Sequence, residues 1–387
     1  MDILRLCTLR REVEELPIAA PLMVWMAPPN GIAMCQGGFE FSHPKEPSME
    51  QPITIGLDLA KNVFQVHAVS ANGTVVCRRQ LRRAQLLLFF SQLEPCLVGM
   101  EACAGAHHWG REIAALGHEV RLMPPAYVKP YVKRGKTDAA DAEAICEAVT
   151  RPTMRFVPVK SAQAQAALLD HKTRDFLVRQ RTQIINTIRA HMGEFGLVVA
   201  KGIQNVERLV AAVGAVPEAA RAALDMLAEQ LIGTQERIDA VTARIEEKQA
   251  DDPLARRLAT VPGVGTISSS AFAATTPDVS TFHSGRDYAA WLGLTPCAHS
   301  SGGKERLGRI SKAGNRYLRR LLYLGAMARI SARRGRGQGP SDAAPDWLDR
   351  MLERKPVKLV AIALANRMAR TIWALIRSGE SYRPALA

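Results

Sequence analysis

The stretch that begins at Ile53 constrains this chain more than any other. In ITIGLDLAKNVFQVHAV, apolar and β-branched residues fall into two short runs parted by a tight connection, and Asn72-Gly73 then leads into TVVCRRQL. Asn-Gly between two such runs is a hairpin signal, because both central residues of the turn need positive φ. Three strands joined by links this short must be antiparallel neighbours. The pattern then changes to a helix over 83–93, the strand CLVGMEA, a helix from about Trp109 to Leu116, the strand EVRLMP, and a helix over 138–148.

Three antiparallel strands followed by β–α alternation is the order of an α/β, RNase H-like domain, expected here over residues 51–155. From Ser161 to about Glu247 the pattern is helical, with Gly and Pro only in the middle, and residues 156–252 form a helical region. Its second helix carries Leu224, Leu227, Leu231, Ile238, Val241 and Ile245 at coiled-coil spacing. That seam fits packing on the preceding helix as well as it fits pairing with a second chain. A third, mostly helical region runs over 253–387. Residues 1–50 show no sustained period, so they are expected to be a poorly ordered leader or to follow a translation start placed too far upstream.

Charge divides the chain in a second way. The 387 residues carry a net charge of +14. Residues 301–387 hold 19 Lys+Arg against 6 Asp+Glu, whereas residues 53–150 hold 11 against 9. A basic C-terminal part implies a polyanionic partner, and the near-neutral N-terminal part has a different task. The 7 cysteines occur singly, without the paired spacing of a zinc site, and read as thiols of a reducing compartment. Residues 358–376 are apolar only in part, being interrupted by Asn366, Arg367 and Arg370, and residues 17–28 are too few to span a bilayer. With no export or membrane segment read from the sequence, the expected location is the cytoplasm.

Four carboxylates of the first region fall where a sheet of this order would bring them together. Asp58 lies in GLDLAK on the first strand and Glu101 ends the fourth in LVGMEA; Asp138 and Asp141, in TDAADAEAI, are three apart at a helix start. Side chains three apart share a helix face. An acid flanked by apolar residues on a central strand is costly to bury unless a cation or proton compensates it. Several carboxylate oxygens at one place suit a hard cation such as Mg²⁺, which can serve phosphoryl displacement. Taken singly, Asp138 is equally a helix-cap or first-turn acid.

A second constellation lies in the basic part. LATVPGVGTISSSAFAA places Gly263 and Gly265 in a sharp turn between helices, where exposed amides suit a phosphate backbone, although such a turn also simply connects packed helices. Downstream, Ser300 and Ser301 precede Gly302-Gly303 and then Lys304, Arg306, Arg309 and Lys312, with Arg316, Arg319 and Arg320 following. A serine beside flexible glycines and several cations can approach a phosphate whose developing charge is balanced. The plain alternative is a polar loop leading into a basic helix.

GLDLAKNVFQVHAV, MEACAGAHHWG and KTDAADAEAI resemble the RuvC-like domain of the DEDD transposases of the insertion sequence 110 family, to which the Piv and MooV invertases also belong. The run SGGK…GRISKAGNRYLR is similar to that family's C-terminal signature, especially in its 1111 branch. The resemblance covers about Ile53 to Ile376. It implies that Asp58, Glu101, Asp138 and Asp141 bind Mg²⁺, that Lys136 helps contact nucleic acid, and that a serine, placed at Ser301 with Ser300 as the alternative, is the nucleophile. It further implies donor and target DNA, a structured guide RNA encoded by the element, and a dimeric or tetrameric homo-oligomer with acids and serine from different subunits. Two other functions fit the residues alone: a metal-dependent nuclease or junction resolvase that uses water without a covalent intermediate, and a non-catalytic nucleic-acid-binding protein.

Overall fold

Apolar, largely buried residues along the first two strands build the sheet expected from the sequence. The computed structural model of the chain describes residues 51–133, 135, 137–300, 302–304, 306–335 and 346–383. The leader and the predicted site residues Lys136 and Ser301 lie outside the described residues. Strands β1 (Thr54–Leu59), β2 (Val63–Val69) and β3 (Val75–Arg82) are followed by α1 (Leu86–Ser91), β4 (Leu97–Glu101), α2 (Ala106–Ala115), β5 (Glu119–Met123), α3 (Pro125–Val128) and α4 (Asp138–Val149). The sheet order is β3-β2-β1-β4-β5; β1, β2 and β3 pair antiparallel, while β4 is parallel to both β1 and β5. This is the mixed sheet of an RNase H-like fold.

Because side chains alternate across a strand, β1 sends Ile55 and Leu57 to one face and Gly56 and Asp58 to the other. Ile55 and Leu57 join Phe64, Met100, Trp109 and Ile113 in one core cluster, under α1 and α2. On the opposite face α4 contributes Ala144, Ile145, Ala148 and Val149 to a second cluster. The central strand is thus covered on both sides, which is why it reads as nearly continuous apolar sequence.

The next helices, α5 (Ala162–Gly193), α6 (Val206–Ala211) and α7 (Glu218–Asp251), include the predicted seam. Leu224 and Leu231 pack with Ile184, Ile185 and Ile188, and Ile238, Val241 and Ile245 pack with Leu177. Arg174 donates to Thr242 at 2.8 Å and Arg181 to Gln235 at 2.6 Å, so α5 and α7 run antiparallel. Asp170 of α5 also meets Arg244 at 3.0 Å and Lys248 at 2.7 Å. Of the two readings of the heptads, the structure supports packing on the preceding helix.

The C-terminal part comprises α8 (Pro253–Leu258), α9 (Thr266–Thr275), α10 (Gly285–Trp291), the two-stranded β6 (Pro296–Ala298) and β7 (Leu307–Ile310), α11 (Arg316–Gly335), α12 (Trp347–Arg354) and α13 (Val357–Ser378). Among the described residues α13 is the helix long and apolar enough to cross a membrane by length and composition alone. Its Val360, Leu364, Met368 and Ile372 are fully or almost fully buried in the helical core with Phe272, Tyr288 and Leu322.

Buried His171 joins three of these helices. Its Nδ1 lies 3.3 Å from the Tyr317 hydroxyl of α11 and its Nε2 3.1 Å from the Ser270 hydroxyl of α9. Burial, more than the nearby Arg174 and Lys248, pushes its pKa down from 6.5 to about 4. The unfolded chain therefore binds an extra proton between those values, and folding stability must fall as pH drops through that window. His171→Gln is expected to remove about 2 kcal/mol of this acid-linked loss between pH 7 and pH 4.5. Denaturant unfolding of both proteins at pH 7 and pH 4.5 checks this; parallel losses in the two would count against it.

Candidate metal centre

Two glycines set the position of α4. Gly56 of β1 and Gly99 of β4 are direct partners across the parallel strand pair. A Cβ at Gly56 would stand 2.1 Å from the carbonyl oxygen of Ala142 and 2.5 Å from the backbone nitrogen of Cys146, while one at Gly99 would stand 2.8 Å from Val149 Cβ. The helix backbone therefore lies directly on the sheet, at a distance only glycine permits. Asp58 follows Gly56 by two residues and Glu101 follows Gly99 by two, so both acids belong to the face that α4 covers.

At the start of α4, Thr137 is the N-cap: its hydroxyl accepts from the Ala140 N–H at 3.2 Å. Asp138 and Asp141 are thereby released from capping and occupy the first turn. Asp58, Asp138 and Asp141 each offer a carboxylate oxygen within 4.8 Å of the other two. Asp58 and Asp141 are half-buried and Asp138 is exposed, so the group opens to solvent. Three carboxylates this close repel one another unless a cation lies among them, and their hard oxygen donors fit a divalent cation.

Glu101 stands beside this group on the neighbouring strand. Leu57 pairs with Met100, so Asp58 and Glu101 are the next residues along the two adjacent strands. A shared neighbour reports their proximity: burial foremost, and then the charges of Glu101 and Asp58, push the Cys103 thiol up. Elsewhere on α4, Glu143 serves a different purpose. A hydrogen bond from Lys133 at 3.1 Å, with Arg78 at 3.4 Å, holds its carboxyl below the usual range.

In the basic part, Ser300 lies in the turn of the β6–β7 hairpin, where its hydroxyl accepts from the Arg306 N–H at 3.2 Å. Gly302 and Gly303 take positive φ, of 56° and 76°. Lys304, Arg306, Arg309, Lys312 and Arg316 are exposed. Arg319 instead donates to the Leu292 and Ala313 carbonyls at 2.9 and 2.8 Å, and Arg320 pairs with Asp175. Gly263, at φ 90°, meets the backbone of α11: a Cβ there would stand 2.9 Å from the Gly325 carbonyl oxygen. Packing thus accounts for this glycine. Open space surrounds Gly265, the N-cap of α9.

Comparison with known proteins agrees with this geometry. A DEDD transposase family model of the IS110 group, described as "Transposase", matches residues 55–196, and a second, described as "Transposase IS116/IS110/IS902 family", matches residues 255–339. The chain is 50% identical over 336 residues to the "Probable family 20 transposase" of Pseudomonas aeruginosa, covering 85% of this chain and 98% of the relative. It is 39% identical over 330 residues to the transposase for insertion sequence element IS1328 of Yersinia enterocolitica, again covering 85% and 98%. To the transposase for insertion sequence element IS1111A of Coxiella burnetii it is 36% identical over 366 residues, covering 92% and 99%. The chain belongs to the IS110/IS116/IS902 family of transposases. As a DEDD transposase it acts on DNA and relies on a divalent metal, and its acidic group lies within the segment that the first family model matches.

Sequence reasoning missed the lining of a cleft beside this transposase's acids. His107, Lys160, His171 and Tyr317 come from three regions far apart in the chain and face one space. The available signal was HHWGR, which places His107 and Arg111 one helical turn apart on α2.

Proposed function

We propose that this transposase cuts and rejoins DNA with Mg²⁺ held by Asp58, Asp138 and Asp141, with Glu101 at their side. The convergence of three carboxylates from β1 and α4 carries the reading. A cation bound there supplies charge stabilisation to a phosphate undergoing displacement. The protein's part is to hold the oxygens ready: β1 is fixed by burial on both faces, and α4 by the glycine contact. We divide the chain accordingly into a RuvC-like catalytic domain over 51–155, a helical region over 156–252 and a C-terminal domain over 253–387.

Ser301 is the nucleophile in this reading. Its hydroxyl oxygen forms a bond to phosphorus as the bond to the leaving deoxyribose oxygen breaks, and the serine proton passes through solvent to that oxygen. Lys304, Arg306, Arg309 and Lys312, exposed along and beyond the β6–β7 hairpin, offset phosphate charge. The basic surplus of the C-terminal part also suits a guide RNA, and the acids of one subunit work with the serine of another in a homo-oligomer. Ser301→Ala is expected to abolish the covalent protein–DNA adduct on denaturing gels while DNA binding persists. An adduct retained by that variant and lost in Ser300→Ala would move the nucleophile by one residue; cleavage without an adduct in the unaltered protein would indicate attack by water.

A further inference from the structure

The cleft between α2, α5, α9 and the start of α11 has a volume of about 500 Å³, the size of a small-ligand pocket. On one wall His107 Nδ1 accepts the backbone N–H of Lys160 at 3.2 Å, so in the neutral ring Nε2 carries the proton. That Nε2 lies 3.3 Å from Lys160 Nζ. Two donors therefore face one another, an arrangement completed by an acceptor that takes both. Arg111, bound at 2.8 Å to the Lys160 carbonyl, fixes the wall in place.

The charge around this pair points to an anion. Burial foremost, then Lys160, Arg111 and Lys172, drives the His107 pKa down to about 4; burial and Lys172 lower that of Lys160. A bound anion would reverse the like-charge part of that cost. The carboxylate on the lining, Asp175, is engaged by Arg320 and by Arg179. On the other walls two polar atoms, Gln165 Oε1 and Thr275 Oγ1, are buried without a hydrogen-bond partner among the described residues. Buried polar atoms in a folded protein are seldom left so. A space of about 500 Å³ with its cations on one wall exceeds what a bare phosphate fills and has room for a nucleotide.

The cleft also adjoins the acidic centre. Cys103 lines it, two residues beyond Glu101, and its backbone N–H donates to the Glu101 carbonyl at 2.8 Å. We propose that the cleft holds one nucleotide of a single DNA strand, its phosphate between His107 Nε2 and Lys160 Nζ and its base or sugar against Gln165 and Thr275. The strand is thereby led to the acids, so the inference rests on reading those acids as the DNA-cleaving centre.

Binding of a fluorescein-labelled oligothymidylate to the full chain in chelator, followed by anisotropy across a salt series, tests it. Lys160→Met and the exposed Lys172→Ala are each expected to weaken binding about tenfold and to reduce the salt slope by about one. Unchanged affinity and slope in both lysine variants would overturn the proposal, as would a cleft-dependent affinity tenfold greater for the matching RNA. Should Lys160→Met fail to fold, Lys172→Ala keeps the test decisive. Asp58→Asn separates the two claims: full cleavage by it would sink the acidic centre, whereas unaffected binding in the lysine variants would sink the cleft alone.

Discussion

Asp58→Asn is expected to lower DNA strand cleavage by about 10³-fold or more while DNA binding is kept. The substitution preserves shape but removes one of the three converging carboxylates. Charge stabilisation by a bound cation contributes several kcal/mol to phosphoryl displacement, and each 1.36 kcal/mol is a factor of ten. Asp141→Asn should behave alike, because Asp141 is a half-buried member of the same group. Cleavage of a labelled duplex carrying the element ends, at saturating Mg²⁺ and in chelator, provides the measurement. Activity in excess chelator equal to that in Mg²⁺ would exclude a metal role for these residues.

The second large effect is expected at a residue that touches no substrate. Gly56→Ala would place a Cβ 2.1 Å from a backbone oxygen of α4. A backbone atom cannot swing aside as a side-chain tip can, so the helix must retreat by roughly 1 Å. That movement is expected to cost about 3 kcal/mol or more of stability and to draw Asp138 and Asp141 away from Asp58. Both consequences are measurable, the first as a lowered denaturant midpoint and the second as weakened Mn²⁺ binding at a temperature where the variant is still folded. Gly233→Ala is the control: Gly233 lies in α7 with open space around its Cβ position, and helix propensity favours alanine there by up to about 1 kcal/mol. Equal metal affinity in Gly56→Ala and the unaltered protein would show that the glycine contact does not position the centre.

Much of this was legible in the sequence, for reasons that differ by element. β1, β2 and β3 were readable because apolar runs and an Asn-Gly turn report strands locally. The acids were readable as a set because the strand order implies which strand ends are neighbours. Gly56 and Gly99 were not recognised as a pair, since their role depends on the register of β1 against β4. β6 and β7 escaped notice because they are only 3 and 4 residues long and largely exposed, which leaves no alternation to detect. The α7 seam was visible, but heptads do not say whether the covering helix belongs to the same chain; Leu177 and Ile184 of α5 decide it. The cleft was hidden for a similar reason, as His107, Lys160 and Thr275 converge only through tertiary packing.

We propose Asp58, Asp138 and Asp141 as the ligands of one divalent-metal centre. Anomalous diffraction from crystals of the protein grown with Mn²⁺ tests it most directly. A peak is expected within coordination distance of carboxylate oxygens from all three residues, lost in Asp58→Asn crystals. A peak elsewhere in the molecule with none at this position, or one that persists undiminished in the variant, would contradict it.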